Sequence, residues 1–117
     1  MFIFDATALV ALLDSYKPVV RVWRRADSER IMLGIPAVAI VEASDQVETT
    51  STGTWTAFLW SPTIAVLPLG ESAAVQIGTW PGTPAARHSL WESDHLGWMV
   101  LTRDAKLYSD DARVLEL

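Results

Sequence analysis

Three carboxylates stand where carboxylates are costly. Asp5 follows directly on the apolar run Phe2-Ile3-Phe4. Asp104 follows the run from Trp98 to Thr102 by two residues, and Glu42 interrupts an apolar stretch that begins at Pro36. A lone carboxylate turned towards a core is expensive unless it is paired or binds a cation. Acids at the carboxyl ends of parallel strands face the crevice in which open α/β sheets bind ligands. Asp5, Glu42 and Asp104 together have the chemistry of a Mg²⁺ or Mn²⁺ site, since these ions prefer oxygen ligands and bridge to phosphate. Such an ion acidifies water and stabilises the charge that develops on a phosphodiester, so the trio points to metal-assisted hydrolysis. Each acid also has a plainer reading. Asp5 caps a helix that starts at Ala6. Asp104 is a turn residue. Glu42 belongs to an outward acidic face with Asp45 and Glu48.

The elements that must position these acids can be read from apolar patterning. Residues 2–4 read as a buried strand and 6–13 as a helix with Leu9, Leu12 and Leu13 on one side. Pro18 suits the first position of a helix over 18–28, where its missing N–H costs nothing. A strand over 31–35 follows, then a helix over 36–48 opened by Pro36. Residues 49–54 read as a loop, and 55–60 as a short helix that Pro62 ends. Residues 64–69 read as a strand, with Pro68 marking an edge. A helix over 71–79, a Pro81-Gly82 turn and a helix over 84–96 stopped by Gly97 come next. The chain then reads as a strand over 98–102, a helical turn near 105–109 and a strand over 114–117. Strands alternate with helices and lack period-two patterning. This predicts one α/β domain over residues 1–117 with a mainly parallel sheet covered on both faces.

Bulk properties narrow the partners. The chain has 117 residues, enough for one domain with one core. It contains no cysteine, which excludes disulfides and thiolate chemistry and fits a reducing cytosol. No apolar run approaches the ~20 residues needed to span a bilayer, and no basic segment precedes the first apolar stretch, so neither a membrane nor a signal peptide is expected. A net charge of −5 argues against broad polyanion binding. The basic residues are clustered all the same: Lys17, Arg21, Arg24, Arg25 and Arg30 put five of nine within fourteen positions. They read either as a solvated helix face or, through Arg21, Arg24 and Arg25, as a surface for RNA backbone phosphates. Of the six tryptophans, Trp23, Trp91 and Trp98 read as packing residues. Trp55, Trp60 and Trp80 border loops, where they could stack on unpaired bases or bind a partner chain.

Three segments carry a resemblance: Phe2 to Leu13, Ile35 to Glu42, and Gly97 to Tyr108. In order, spacing and length they resemble the PIN-domain nucleases, most closely the small VapC-like toxins of bacterial toxin–antitoxin pairs. The resemblance implies a three-layer α/β/α fold and Mg²⁺- or Mn²⁺-dependent cleavage of single-stranded or structured RNA. It also implies a cytoplasmic homodimer inhibited by a cognate antitoxin protein. By position, Asp5 matches the family's first acidic ligand, Glu42 its second, and Asp104 the acid after the fourth strand. Thr7 and Thr102 match hydroxyls that orient ligands or water. One acid of the family pattern is replaced: counting back from Gly97 and Asp104 places it at Ala86. Asp94 lies two turns away, roughly 12 Å along the axis, and is a poor substitute. His88 reads either as a ligand or base or as an ordinary helix residue, and His95 as a favourable charge in the last helical turn. The replacement at Ala86 sets a second reading beside the nuclease, a catalytically impaired module that acts through protein–protein contacts.

Overall fold

A computed structural model describes residues 1–47 and 52–117. The chain enters at the middle of its sheet. Strand β1 (Phe2–Phe4) leads into helices α1 (Ala6–Leu13) and α2 (Lys17–Glu29), then β2 (Leu33–Pro36) and α3 (Ala37–Gln46). Helix α4 (Thr52–Leu59), β3 (Ile64–Leu67), α5 (Glu71–Ile77) and α6 (Pro84–Leu96) follow. Strand β4 (Met99–Thr102), a 3₁₀ turn (Ala105–Leu107) and β5 (Val114–Glu116) complete it. The five strands are all parallel, in the order β3-β2-β1-β4-β5, and helices flank the sheet in a three-layer α/β/α arrangement. The chain fills one side of β1 first and then crosses to β4 on the other. The strand order therefore reverses between β1 and β4, and a doubly wound sheet has its ligand crevice at the carboxyl end of that boundary.

Burial accounts for the register. Ile3, Phe4, Leu33, Ile35, Val100 and Leu101 are almost wholly excluded from solvent, because helices cover both faces of the central strands. Leu9 and Leu12 of α1 join this core, while Leu13 is only half-buried. Trp23 meets Phe58 edge to face, at 5.5 Å between ring centroids, and ties α2 to α4. Gly34 of β2 lets the Trp98 ring approach; a Cβ there would lie 3.2 Å from that ring and 2.9 Å from a Leu67 methyl. Trp60, 82% exposed, precedes β3 and so sits towards the amino end of the sheet, away from the crevice. Among the described residues, no helix is long and apolar enough to cross a membrane.

The elements differ from the sequence reading mainly at their edges. Helix α4 starts at Thr52, so residues 52–54 are helical rather than loop. Packing of Trp55, Phe58 and Leu59 on the core outweighs the poor propensity of Thr-Gly-Thr. Residues 49–51, also read as loop, and Glu48 lie outside the described residues. Strand β2 begins two residues late, because Arg30 turns left-handed (φ 57°) and Ile31 N–H closes α2 on Ala26 O. Pro36 is not a helical residue but ends β2 and occupies the N-cap position of α3. Pro18 sits at the second helical position, where its N–H is equally dispensable. β3 is an edge strand, as Pro68 suggested.

Gly97 stops α6 in the left-handed region, with φ 71°. A side chain is strained there, so Gly97→Ala should lower the unfolding free energy by about 1 kcal/mol. Urea denaturation of the two proteins would read the difference directly.

Candidate active site

The end of β1 and the start of α1 build the site from a single residue. Asp5 is the N-cap of α1, and its Oδ1 accepts the Ala8 N–H at 2.9 Å. The capping reading is borne out, and because capping uses only one carboxylate oxygen it leaves the other for a second role. The same Oδ1 accepts the Thr7 hydroxyl at 2.6 Å, and Oδ2 accepts the Tyr108 hydroxyl at 2.8 Å. Three donors are what a carboxylate at 1% exposure requires.

A chain of hydroxyls runs from this carboxylate to β4. Thr7 Oγ1 lies 3.0 Å from Thr102 Oγ1, accepts the Arg103 N–H at 2.8 Å, and is one bond from Asp5. Thr7 has one proton and gives it to Asp5, which can only accept when ionised. Thr102 must then donate to Thr7, while its own oxygen accepts the Asp104 N–H at 3.0 Å. The order Asp104 N–H to Thr102 to Thr7 to Asp5 is thus fixed by proton count. The backbone of Asp104 and the carboxylate of Asp5 are thereby tied across the β1–β4 boundary.

Glu42 comes from α3 and shares a small cleft with Asp5. Ala6, Thr7, Thr83, Ala86, Leu107 and Tyr108 complete its walls, and it has no room for a water molecule. Partial burial and the nearby Asp5 charge hold the Glu42 carboxyl above its ordinary range. The outward-face reading of Glu42 therefore gives way to a half-buried residue beside a second acid, whereas Asp45 is exposed. Ala86, 5% exposed, does face this cleft. It is the third residue of α6, where its N–H is capped by Thr83 Oγ1 at 3.2 Å.

Asp104 stands at the same sheet edge but is turned aside. Its Oδ1 accepts the Lys106 N–H at 3.2 Å, which caps the 3₁₀ turn. Among the described residues, no three His, Asp or Glu side chains lie close enough to form a ready-made metal cluster. Asp5 and Glu42 are thus brought together, and Asp104 is linked to them through Thr102 rather than by its own carboxylate.

The remaining sequence candidates fall elsewhere. His88 is fully buried. Its Nδ1 accepts the Val38 N–H at 3.4 Å and its Nε2 lies 3.2 Å from Glu92. Burial holds its pKa below the ordinary value against the pull of Glu92, and the neutral ring pins the start of α3 to α6. It serves packing and is no ligand. Asp94 is exposed on the last turns of α6, beside Trp80 and Asp111. His95 stacks on Trp91 at 4.0 Å, and Trp91 in turn meets Trp80 at 6.1 Å. Arg21 and Arg24 are exposed on α2, and Arg25 pairs with Glu29 at 3.2 Å. Helix α2 leads away from the crevice towards the start of β2, so these arginines recede from the acids along it.

Two residues at the site escaped the sequence reading. Arg103 packs over the Tyr16 ring at 3.9 Å, donates to the Tyr16 hydroxyl and to Leu117 O, and is a cation next to the crevice. Tyr108 was read only as part of a helical turn. Burial, the Asp5 and Glu42 charges and the bond to Asp5 push its phenol far above the ordinary range, so it is a firmly neutral donor. The signal for Arg103 was its place beside Asp104. Nothing local marks Tyr108, whose partner lies 103 residues away.

Glu42 generates a stability prediction with a definite sign. Its folded pKa is raised, so its stabilising balance is intact below the ordinary value of 4.5 and is lost as pH rises through the folded value. Glu42→Gln should therefore melt higher than the parent at pH 7, and the gap should close below about pH 4. Thermal melts at several pH values would show it; a gap that widens in acid would contradict the electrostatic account.

Neither a protein-family model nor a curated protein matches the chain. Among solved structures, the crystal structure of PAE2754 from Pyrobaculum aerophilum superposes with a TM-score of 0.54 at 20% identity, over 91% of this chain and 76% of that one. At that identity the likeness shows a shared fold alone.

Proposed function

We propose that this chain is a Mg²⁺- or Mn²⁺-dependent endoribonuclease built on Asp5, Glu42 and Asp104. The observation that carries the reading is the pairing of a buried Asp5 with a half-buried Glu42 at the β1–β4 boundary. Burial first, and the Asp5 charge second, hold the Glu42 carboxyl above its ordinary range, and a divalent cation is a partner that would offset both penalties. The donor set fits a hard ion, being carboxylates and hydroxyls with no soft ligand. Asp5 offers one unfilled lone pair on Oδ2, and Glu42 offers its carboxylate across the cleft. Asp104 would be a third ligand once released from Lys106.

The ion would supply Lewis acidity towards water and the phosphodiester. Hydrolysis then forms a bond from water oxygen to phosphorus and breaks the bond to the leaving 3′ oxygen, which takes up the proton. Thr7 and Thr102 keep Asp5 oriented through their relay. Arg103 stands beside the crevice with its guanidinium fixed by Tyr16, suited to an RNA phosphate, with Arg21, Arg24 and Arg25 as a more distant basic face. The resemblance at three segments extends the reading to a VapC-like PIN-domain toxin. It would be a cytoplasmic homodimer that cuts single-stranded or structured RNA and is held in check by an antitoxin protein.

Ala86 favours a second reading, a catalytically impaired module that works through protein contacts. An alanine on the cleft wall supplies no oxygen where a third or fourth acid could reach the ion.

One assay separates the two. The full chain is incubated with mixed single-stranded RNA and Mn²⁺, beside Asp5→Asn, which keeps a capping oxygen, and Ala86→Asp. The expected result is weak, EDTA-sensitive cleavage that Asp5→Asn lowers at least about a hundredfold. Ala86→Asp should raise the rate, because the start of a helix tolerates an acid well. Activity confined to Ala86→Asp would establish the impaired reading, and cleavage indifferent to Asp5 would remove the nuclease proposal.

A further inference from the structure

One wall of the acid cleft is a short segment: Leu107, at the end of the Ala105–Leu107 turn, and Tyr108 line it opposite residues of α1, α3 and the start of α6. Tyr108 reaches Asp5 Oδ2, the only Asp5 oxygen with a lone pair to spare, since Oδ1 already takes both Thr7 and Ala8. The phenol takes one of the two lone pairs of that oxygen, and this bond holds its ring in the space that a cation on the other lone pair would need.

The segment is fastened in a way that can be undone. Its backbone bonds are internal, from Leu107 N–H to Asp104 O and from Tyr108 N–H to Ala105 O, both at 3.2 Å. Side chains join it to the rest of the fold: Glu116 Oε1 accepts the Ala105 N–H at 3.0 Å, and Tyr108 holds Asp5 and bonds Ser89 of α6. No ladder bond need break for the turn to move, and Lys106 and Leu107 are exposed. The same turn keeps the Asp104 carboxylate occupied through Lys106 N–H.

We infer that residues 105–108 form a gate over the acid pair. With the Tyr108 hydroxyl on Asp5 the gate excludes a divalent cation; swung outward, it opens the cleft and frees Asp104 to join Asp5 and Glu42. The gate rests on the cation reading of this site and adds its regulation. Metal binding and movement of the turn are one event, so a partner that pulls on the turn raises metal affinity, and one that presses on it lowers that affinity.

The test is a Mn²⁺ titration of the full chain followed by electron paramagnetic resonance, with Tyr108→Phe, Tyr108→Ala and Glu42→Gln in parallel. Tyr108→Phe keeps the ring and removes only the hydroxyl that latches it to Asp5, so it stays readable if the alanine variant unfolds. It should bind Mn²⁺ about tenfold tighter than the parent, the scale set by losing one hydrogen bond to a charged group. Tyr108→Ala should bind at least as tightly, and Glu42→Gln should lose binding. Hydrogen exchange at residues 105–108 of the parent should quicken when Mn²⁺ is added. If both Tyr108 variants bind no tighter than the parent while Glu42→Gln still loses binding, the gate is wrong and the cation reading stands. If no protein shows Glu42-dependent Mn²⁺ binding, the cation reading falls and the gate with it.

Discussion

The carboxyl edge of this fold is organised by the need to satisfy one buried negative charge. Asp5 is 1% exposed, and a carboxylate so placed must find donors or be neutralised. It finds them on separate parts of the chain: the first turn of α1 through Thr7 and Ala8, and the segment after the 3₁₀ turn through Tyr108. Through Thr7 it also reaches Thr102 and the backbone of Arg103 at the end of β4. One anion thus fixes the start of a helix, the alignment of two strand ends and the position of a loop. Its removal would leave several buried or half-buried donors without an acceptor, which costs more than the loss of any one bond.

Topology explains why the anion is here. A chain that begins in mid-sheet and fills one side before the other leaves a gap between diverging connections at the carboxyl end. Asp5 leaves β1 into that gap, and Thr102, Arg103 and Asp104 enter it from β4. Glu42 arrives from α3, whose start is pinned to α6 by the bond from Val38 N–H to His88. Val38 and Glu42 are four residues apart and share a helix face, so His88 sets the height at which Glu42 meets the cleft. A buried, neutral histidine is well suited to this task, because it accepts an unpaired helix N–H without bringing in charge.

The parts of this arrangement that local chemistry determines were legible in the sequence. Strand β1, helices α1 and α6, the stop at Gly97 and the edge position of β3 follow from apolar runs, a glycine and a proline. Ala86 was singled out by the resemblance rather than by local chemistry, since the PIN-domain pattern carries an acid at the position that counting back from Gly97 and Asp104 reaches. Asp5 and Glu42 were marked by charge in apolar surroundings. What escaped depends on distant partners. The early start of α4 is decided by the core that Trp55 and Phe58 reach, and the late start of β2 by the left-handed turn at Arg30. Tyr108 and Glu116 gain their meaning only when the β4–β5 connection folds back over Asp5. Asp104 was placed at the correct edge, but the direction of its carboxylate depends on the turn it caps.

Ala86 and Tyr108 are best understood together, as two answers to one electrostatic problem. Asp5 and Glu42 already repel at close quarters, and a third acid on the wall at residue 86 would add to that repulsion in the absence of a cation. A methyl group at 86 adds no charge. A neutral phenol at 108 lines the same cleft and gives Asp5 a donor, so this carboxylate is paired without a cation. Each of these choices stabilises the folded chain and, on the proposed cation reading, would weaken its hold on a metal ion, because the features that relieve the acid pair are the ones a cation would have to displace or do without. A site with such a balance binds its ion more weakly than one with an acid at 86 and an open mouth. On that reading its occupancy would depend on whatever moves the 105–108 turn more than on the concentration of metal alone.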